Sequence, residues 1–76
     1  LNDLKTFRIT EEYIPLIQLL KATRIAHSGG DAQRIVEEGL VKVNGKNESR
    51  KRAKIRPGDS IFALGQEIQV LSSIKQ

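Results

Sequence analysis

Ser28 to Gly45 reads SGGDAQRIVEEGLVKVNG. Ser28 can cap a helix, and Asp31 three positions on completes a capping-box-like pair. Ala32, Ile35 and Val36 fall at helical spacing and predict one buried stripe. Gly39 stops the helix, because glycine readily takes the left-handed conformation common at a helix C-terminus. Leu40 to Val43 then alternates as a strand, with Val41 and Val43 on one face and Lys42 on the other. Asn44 and Gly45 both tolerate positive φ, which a tight type I′ hairpin turn requires. A capped helix that runs directly into a hairpin predicts an α+β fold, its helical stripe buried against a small sheet.

Downstream, the hairpin returns through Lys46 to Glu48. Ser49 to Lys54 reads SRKRAK, and Ile55 follows as a buried anchor. Pro57 and Gly58 predict the next turn, with Asp59 bonding its own backbone there. Ser60 to Leu64 predicts a strand, Gly65 and Gln66 a turn, and Glu67 to Leu71 a last strand with Ile68 and Val70 inward, before a tail from Ser72. Upstream, Thr10 to Thr23 (TEEYIPLIQLLKAT) predicts the first helix. Thr10 is its cap, and regular helix begins at about Ile14 so that Pro15 falls in the first turn. Leu16, Leu19 and Leu20 make its apolar stripe, widened by Ile17. Lys5 to Thr10 alternates and predicts a short strand with Phe7 and Ile9 on one face, while residues 1–4 are expected to fray. The expected architecture is two helices packed on a small, mostly antiparallel sheet of short strands. One domain spans residues 1–76, with its core at about 6–71.

The basic residues are not spread evenly. Lys42 to Arg56 holds Lys42, Lys46, Arg50, Lys51, Arg52, Lys54 and Arg56 against one acid, Glu48, so it carries +6 while the rest of the chain carries −2. A charge cluster framed by core-forming strands is a presented surface, and phosphate is the commonest polyanion such a surface meets. A solvated face that keeps the chain soluble is the plain alternative. Phe7, Tyr13 and Phe62 are the only aromatic residues, too few for a stacking platform of several rings. Gly29 and Gly30 either let a phosphate approach the first turn of the second helix or simply permit a tight turn, and Asp31 beside them repels an anion.

Other function classes recede. The chain has no cysteine, which removes disulfides and thiolate metal sites and fits a reducing, cytoplasmic setting. His27 is the single histidine; with no partner ligand it predicts a phosphate contact or a plain surface residue rather than a metal or catalytic site. Scattered carboxylates and no nucleophile beside a base argue against an enzyme, and no cofactor is expected. No apolar run approaches the ~20 residues of a membrane span. Leu1 to Ile9 lacks the apolar core of a signal peptide. The basic cluster does not lie on an amphipathic helix, so no membrane partner is expected.

The stretch from Ser28 to Gly45, continued through RKRAKIRPGDSI, resembles the RNA-binding domain named after small-subunit ribosomal protein S-four. In that family a helix–loop–helix leads into a strand ending Val-Asn-Gly, here Val43-Asn44-Gly45. A Gly-Asp pair, here Gly58-Asp59, opens a later strand. The helices with their strands form the αL motif, and the resemblance covers roughly residues 14–71. Short free-standing bacterial members are most similar, with a leading strand, a Ser-Gly-Gly helix start and an Arg-Lys-Arg run after the Asn-Gly turn. Two departures stand out. Gly29 occupies a place where many members carry arginine. Gln33 follows Ala32 where a basic residue is frequent, with Arg34 one step later. Both remove charge from the second helix and shift the expected binding toward Arg50, Lys51 and Arg52.

The resemblance implies a non-catalytic protein that binds structured RNA, ribosomal or transfer RNA, in ribosome assembly or translation. Ribosomal particles are a further partner it suggests, and a monomer is expected. The expected surface comprises Lys21, Arg24, His27, Ser28, Gln33, Arg34, Lys42, Arg50, Lys51, Arg52 and Lys54. Arginine grips phosphate in a bidentate fork and lysine supplies a point charge. If the 50–52 segment is extended, Arg50 and Arg52 share a face and Lys51 opposes them. Asn44 and Gly45 are expected to make the turn rather than touch RNA. A rival reading docks the basic patch on an acidic protein partner. Duplex DNA is set aside on the resemblance alone.

Overall fold

The computed structural model describes residues 3–73. Its elements in chain order are β1 (Asp3–Ile9), β2 (Ile14–Pro15), α1 (Leu16–Ala22), α2 (Gly29–Glu37), β3 (Val41–Val43), β4 (Lys46–Asn47), β5 (Lys54–Ile55), β6 (Ser60–Ala63) and β7 (Gln66–Ser72). Five strands form one sheet in the order β1-β7-β6-β3-β4, and β2 pairs with β5 in a second, two-stranded sheet. β1 runs parallel to β7, and every other pairing is antiparallel.

The core follows from alternation. Val41, Ile61, Ala63, Ile68 and Val70 are buried on one face of the sheet, where they meet Leu16, Leu19 and Leu20 of α1 and Ala32, Ile35 and Val36 of α2. Lys42 and Phe62 point to the other face, which stays open to solvent. Each of the fully buried leucine, isoleucine and valine side chains contributes about 1.5–3 kcal/mol relative to exposure, a large share of the stability of so small a domain.

α2 matches its local signals. The Ser28 hydroxyl oxygen accepts from the Asp31 N–H at 3.1 Å. The Asp31 carboxylate reaches one residue further back than a capping box does, accepting from the His27 N–H at 2.9 Å. At the other end Gly39 sits at φ 74. There the Gly39 and Leu40 N–H groups bond the Val36 and Ile35 carbonyls, the Schellman arrangement. Asn44 and Gly45 turn the hairpin at φ 53 and 86. The Asn44 side chain then ties this turn to the next: its amide donates to Asp59 at 3.1 Å, and its oxygen accepts from the Ser60 N–H at 2.9 Å. Asp59 also accepts from the Arg56 N–H at 2.8 Å, the local bond expected of it. The Val-Asn-Gly and Gly-Asp motifs are thus two halves of one hydrogen-bonded corner.

Four expectations are corrected. The first helix begins at Leu16, not near Ile14, because Pro15 stays extended at ψ 143 and pairs in β2. Thr10 caps nothing; its hydroxyl bonds the neighbouring Glu11 carboxylate at 3.1 Å. The strand before it begins at Asp3 rather than fraying to residue 4, and residues 1–2 lie outside the described part. The last hairpin turns on Leu64 and Gly65, at φ 51 and 78, one residue earlier than Gly65 and Gln66. β7 accordingly starts at Gln66 and runs through Ser72, taking in the start of the expected tail, while residues 74–76 lie outside the described part.

Candidate nucleic-acid interface

The first N–H groups of a helix have no partner within it. α1 finds its partners in the basic segment. The Leu16 N–H donates to the Ala53 carbonyl at 2.9 Å, and the Ile17 N–H to the Lys51 carbonyl at 3.2 Å. Just before them, Ile14 pairs with Ile55 and Pro15 with Lys54. Proline lacks an N–H to donate, so it suits the end of so short a ladder. Ala53 and Ile55 are buried, which leaves Arg52, Lys54 and Arg56 on the exposed side of the same segment. A turn closed by the Ala53 N–H on the Arg50 carbonyl, 3.1 Å, carries the chain into this ladder. Backbone bonds and two buried anchors thus hold a run of cations against the start of α1.

Two grooves result. The larger, about 600 Å³, is lined by Tyr13, Pro15, Ile17, Gln18, Lys21, Arg52 and Lys54. The Lys54 ammonium lies 5.1 Å from the centre of the Tyr13 ring, within cation–π reach. The second, about 430 Å³, is lined by Arg50, Arg52, Ala53, Lys54 and Arg56. Arg52 and Lys54 belong to both, so the grooves adjoin. Among the described residues, neither Lys21, Arg52, Lys54 nor Arg56 makes an ion pair with a carboxylate.

The other expected residues are placed differently. Arg50 is held by Glu48, with Nε–Oε2 at 3.0 Å and Nη2–Oε1 at 3.3 Å. Its side chain is 80% exposed. The bonds from the Arg50 side chain and backbone hold the Glu48 carboxyl below its usual range. Lys51 is exposed but lines neither groove; its carbonyl serves α1 instead. Arg34 is gripped by Asp31 at 2.9 Å and Glu38 at 3.1 Å along its own helix. The His27 N–H, then Arg34, lower the Asp31 carboxyl. Gln33 donates to Glu37 at 3.3 Å. The outer face of α2 therefore spends its one cation on its own acids. Arg24, His27 and Ser28 lie exposed in the connection between the helices, Arg24 in the left-handed conformation at φ 64. Lys42 sits apart, in a groove on the open face of the sheet with Asn44, Gly45, Ser60, Phe62 and Glu67.

The sequence reasoning left out Tyr13, Pro15, Ile17, Gln18 and Arg56. Arg56 was legible, since it continues the alternation of Arg52 and Lys54 around the buried Ala53 and Ile55. The other four were not, because their place in the groove depends on the β2–β5 pairing, which joins residues some forty positions apart.

The profile of the S4 domain matches residues 7–71. YbcJ of Escherichia coli K12, named as a candidate RNA-binding protein, is 38% identical over 60 residues, which is 79% of this chain and 86% of that protein. YbcJ of Shigella flexneri matches to the same extent. The solution structure of E. coli YbcJ, described as revealing an αL motif involved in RNA binding, superposes with a TM-score of 0.69 at 37% identity, covering 87% of this chain and 85% of that one. The family match thus runs from within the leading strand into the last one, the relatives agree with it in sequence and fold, and the chain belongs to the S4 domain family.

Proposed function

We propose that the protein binds structured RNA, of ribosomal or transfer type, without catalysis, as a monomer and in the setting of ribosome assembly or translation. The observation that carries the reading is the backbone clamp between α1 and residues 51–55. It brings Lys21, Arg52 and Lys54 together and leaves them without carboxylate partners among the described residues. The relatives' description and the αL fold support the same ligand. Arg50 and Arg56 extend the surface along the second groove. Arg24, His27 and Ser28 flank it from the interhelix connection, and Ser28 keeps its hydroxyl hydrogen as a donor because the cap uses only its oxygen. Arg34, Gln33, Lys42 and Lys51 contribute less. The first two are committed to their own helix, Lys42 lies in another groove, and Lys51 lines neither basic groove. A-form RNA hides its base edges in a deep, narrow groove, so recognition rests on backbone and shape.

The test is a titration against labelled ribosomal RNA fragments and duplex DNA at low and moderate salt. It is repeated with Arg50, Lys51 and Arg52 changed to alanine and with Lys21, Arg52 and Lys54 changed to alanine. RNA is expected to bind more tightly than DNA, and the second variant is expected to lose more affinity than the first. No appreciable binding of either nucleic acid at low salt refutes the reading and redirects the search to acidic protein partners.

A further inference from the structure

The two basic grooves differ in a way that bare phosphate binding does not require. The groove of Arg50, Arg52, Lys54 and Arg56 has only Ala53 as an apolar neighbour. That lining suits a sugar–phosphate backbone. The groove beside it has three cations set around an apolar floor of Pro15 and Ile17, an aromatic ring, and the amide of Gln18. Phosphate gains nothing from such a floor. A nucleotide does, because its base has two apolar faces and a polar edge and its phosphates are anionic. The volume, about 600 Å³, falls in the roughly 300–1,000 Å³ range of sites that take a small molecule.

Resting on the RNA-binding reading, we infer that this groove receives one unpaired nucleotide of the bound RNA, its base against Tyr13, Pro15 and Ile17 and its flanking phosphates on Lys21, Arg52 and Lys54. Tyr13 is 36% exposed, and its ring face already attracts the Lys54 ammonium. Lysine is a flexible stem, so Nζ can follow a phosphate and leave the ring face to a base. Bases in a duplex are stacked on one another and cannot present a face, so the occupant is a bulged, looped or terminal nucleotide. Gln18 offers both a donor and an acceptor to the base edge. Charge selects this groove over the other aromatic one: beside Phe62 a single cation, Lys42, is offset by Glu67. One ring makes a seat for one base, not a platform for several.

Two RNA hairpins test the inference. They are identical except that one carries a single unpaired 2-aminopurine and the other has the same base paired. The native protein is expected to prefer the bulged hairpin by roughly tenfold, the scale of one base–aromatic stack. Fluorescence of the 2-aminopurine should fall on binding. Tyr13→Leu should abolish both the preference and the fluorescence change, costing the bulged hairpin more affinity than the paired one, while Tyr13→Phe should keep both. Equal binding of the two hairpins by the native protein, or a preference that survives Tyr13→Leu, overturns the nucleotide groove and leaves RNA binding standing. Failure to bind either hairpin at low salt overturns both. Should Tyr13→Leu unfold, ultraviolet cross-linking of the native protein to the bulged hairpin reads the same contact. A cross-linked peptide containing Tyr13 is expected, and cross-links confined to other segments overturn the inference.

Discussion

Asn44 shows how much a single exposed side chain can hold. It occupies the left-handed region at φ 53 and bridges Asp59 and the Ser60 backbone. Alanine would lose both bonds and meet the left-handed penalty of about 1–2 kcal/mol. With roughly 0.5–1.5 kcal/mol for each net hydrogen bond, Asn44→Ala should destabilise by about 2–5 kcal/mol in urea unfolding. Asn44→Gly, free of the conformational penalty, should cost about half of that. Two carboxylates set the acid limb of stability. Asp31 and Glu48 are both held below their ordinary values of 3.8 and 4.5 by bonds made only in the folded chain. Their contribution is therefore complete above those ordinary values and is lost as pH falls through the lower folded ones. Urea midpoints measured from pH 6 downward should stay level until about pH 5 and then decline. Asp31→Ala and Glu48→Ala should start lower and decline less steeply.

The decisive pairing is among the shortest in the fold. β2 and β5 have two residues each, yet they position the whole basic segment. Ile55, 1% exposed, is the anchor. Ile55→Ala should cost about 2–5 kcal/mol, the usual range for such a truncation in a core. It should also loosen the clamp. Amide hydrogen exchange at Leu16 and Ile17, whose bonds run to Ala53 and Lys51, should quicken more than exchange within α2. This element also marks where sequence reading stops. α2 was legible because its cap, stripe and glycine stop lie within a dozen residues. The Asn44-Gly45 turn was legible because the φ it needs selects those two residues. Pro15 looked like a first-turn helix residue because nothing local says that Ile14 has a partner at Ile55. The strand pattern of Lys5 to Thr10 was plain, but its parallel pairing with β7 was not, since alternation fixes a face and not a neighbour. The candidate site divides in the same way. Its cations stand together in sequence, whereas their meeting with Lys21 and Tyr13 is made by tertiary pairing.

At the scale of the molecule, the formal charge of +4 matters less than where it is left uncompensated. α2 turns Arg34 onto Asp31 and Glu38, and Glu48 takes up much of the charge of Arg50. Lys21, Arg52, Lys54 and Arg56 remain without such partners among the described residues, and they line the two adjoining grooves. A charged ligand approaching from solution is steered by that imbalance. Salt dependence can separate the two kinds of cation. A side chain that neutralises a phosphate releases condensed counterions, about 0.7–0.9 per contact. Lys21→Ala, Arg52→Ala and Lys54→Ala should therefore each reduce the slope of log affinity against log salt by about that amount, and the triple variant by about the sum. Arg34→Ala deletes the same formal charge from a side chain already satisfied by two acids. Its slope should stay within measurement error of the native value, and its affinity should fall less than twofold, an expectation of roughly the size long-range screening permits. Isothermal or fluorescence titrations of one RNA fragment across a salt series decide it. A slope loss at Arg34 equal to that at Lys54 would place α2 in direct phosphate contact and move the interface off the clamp.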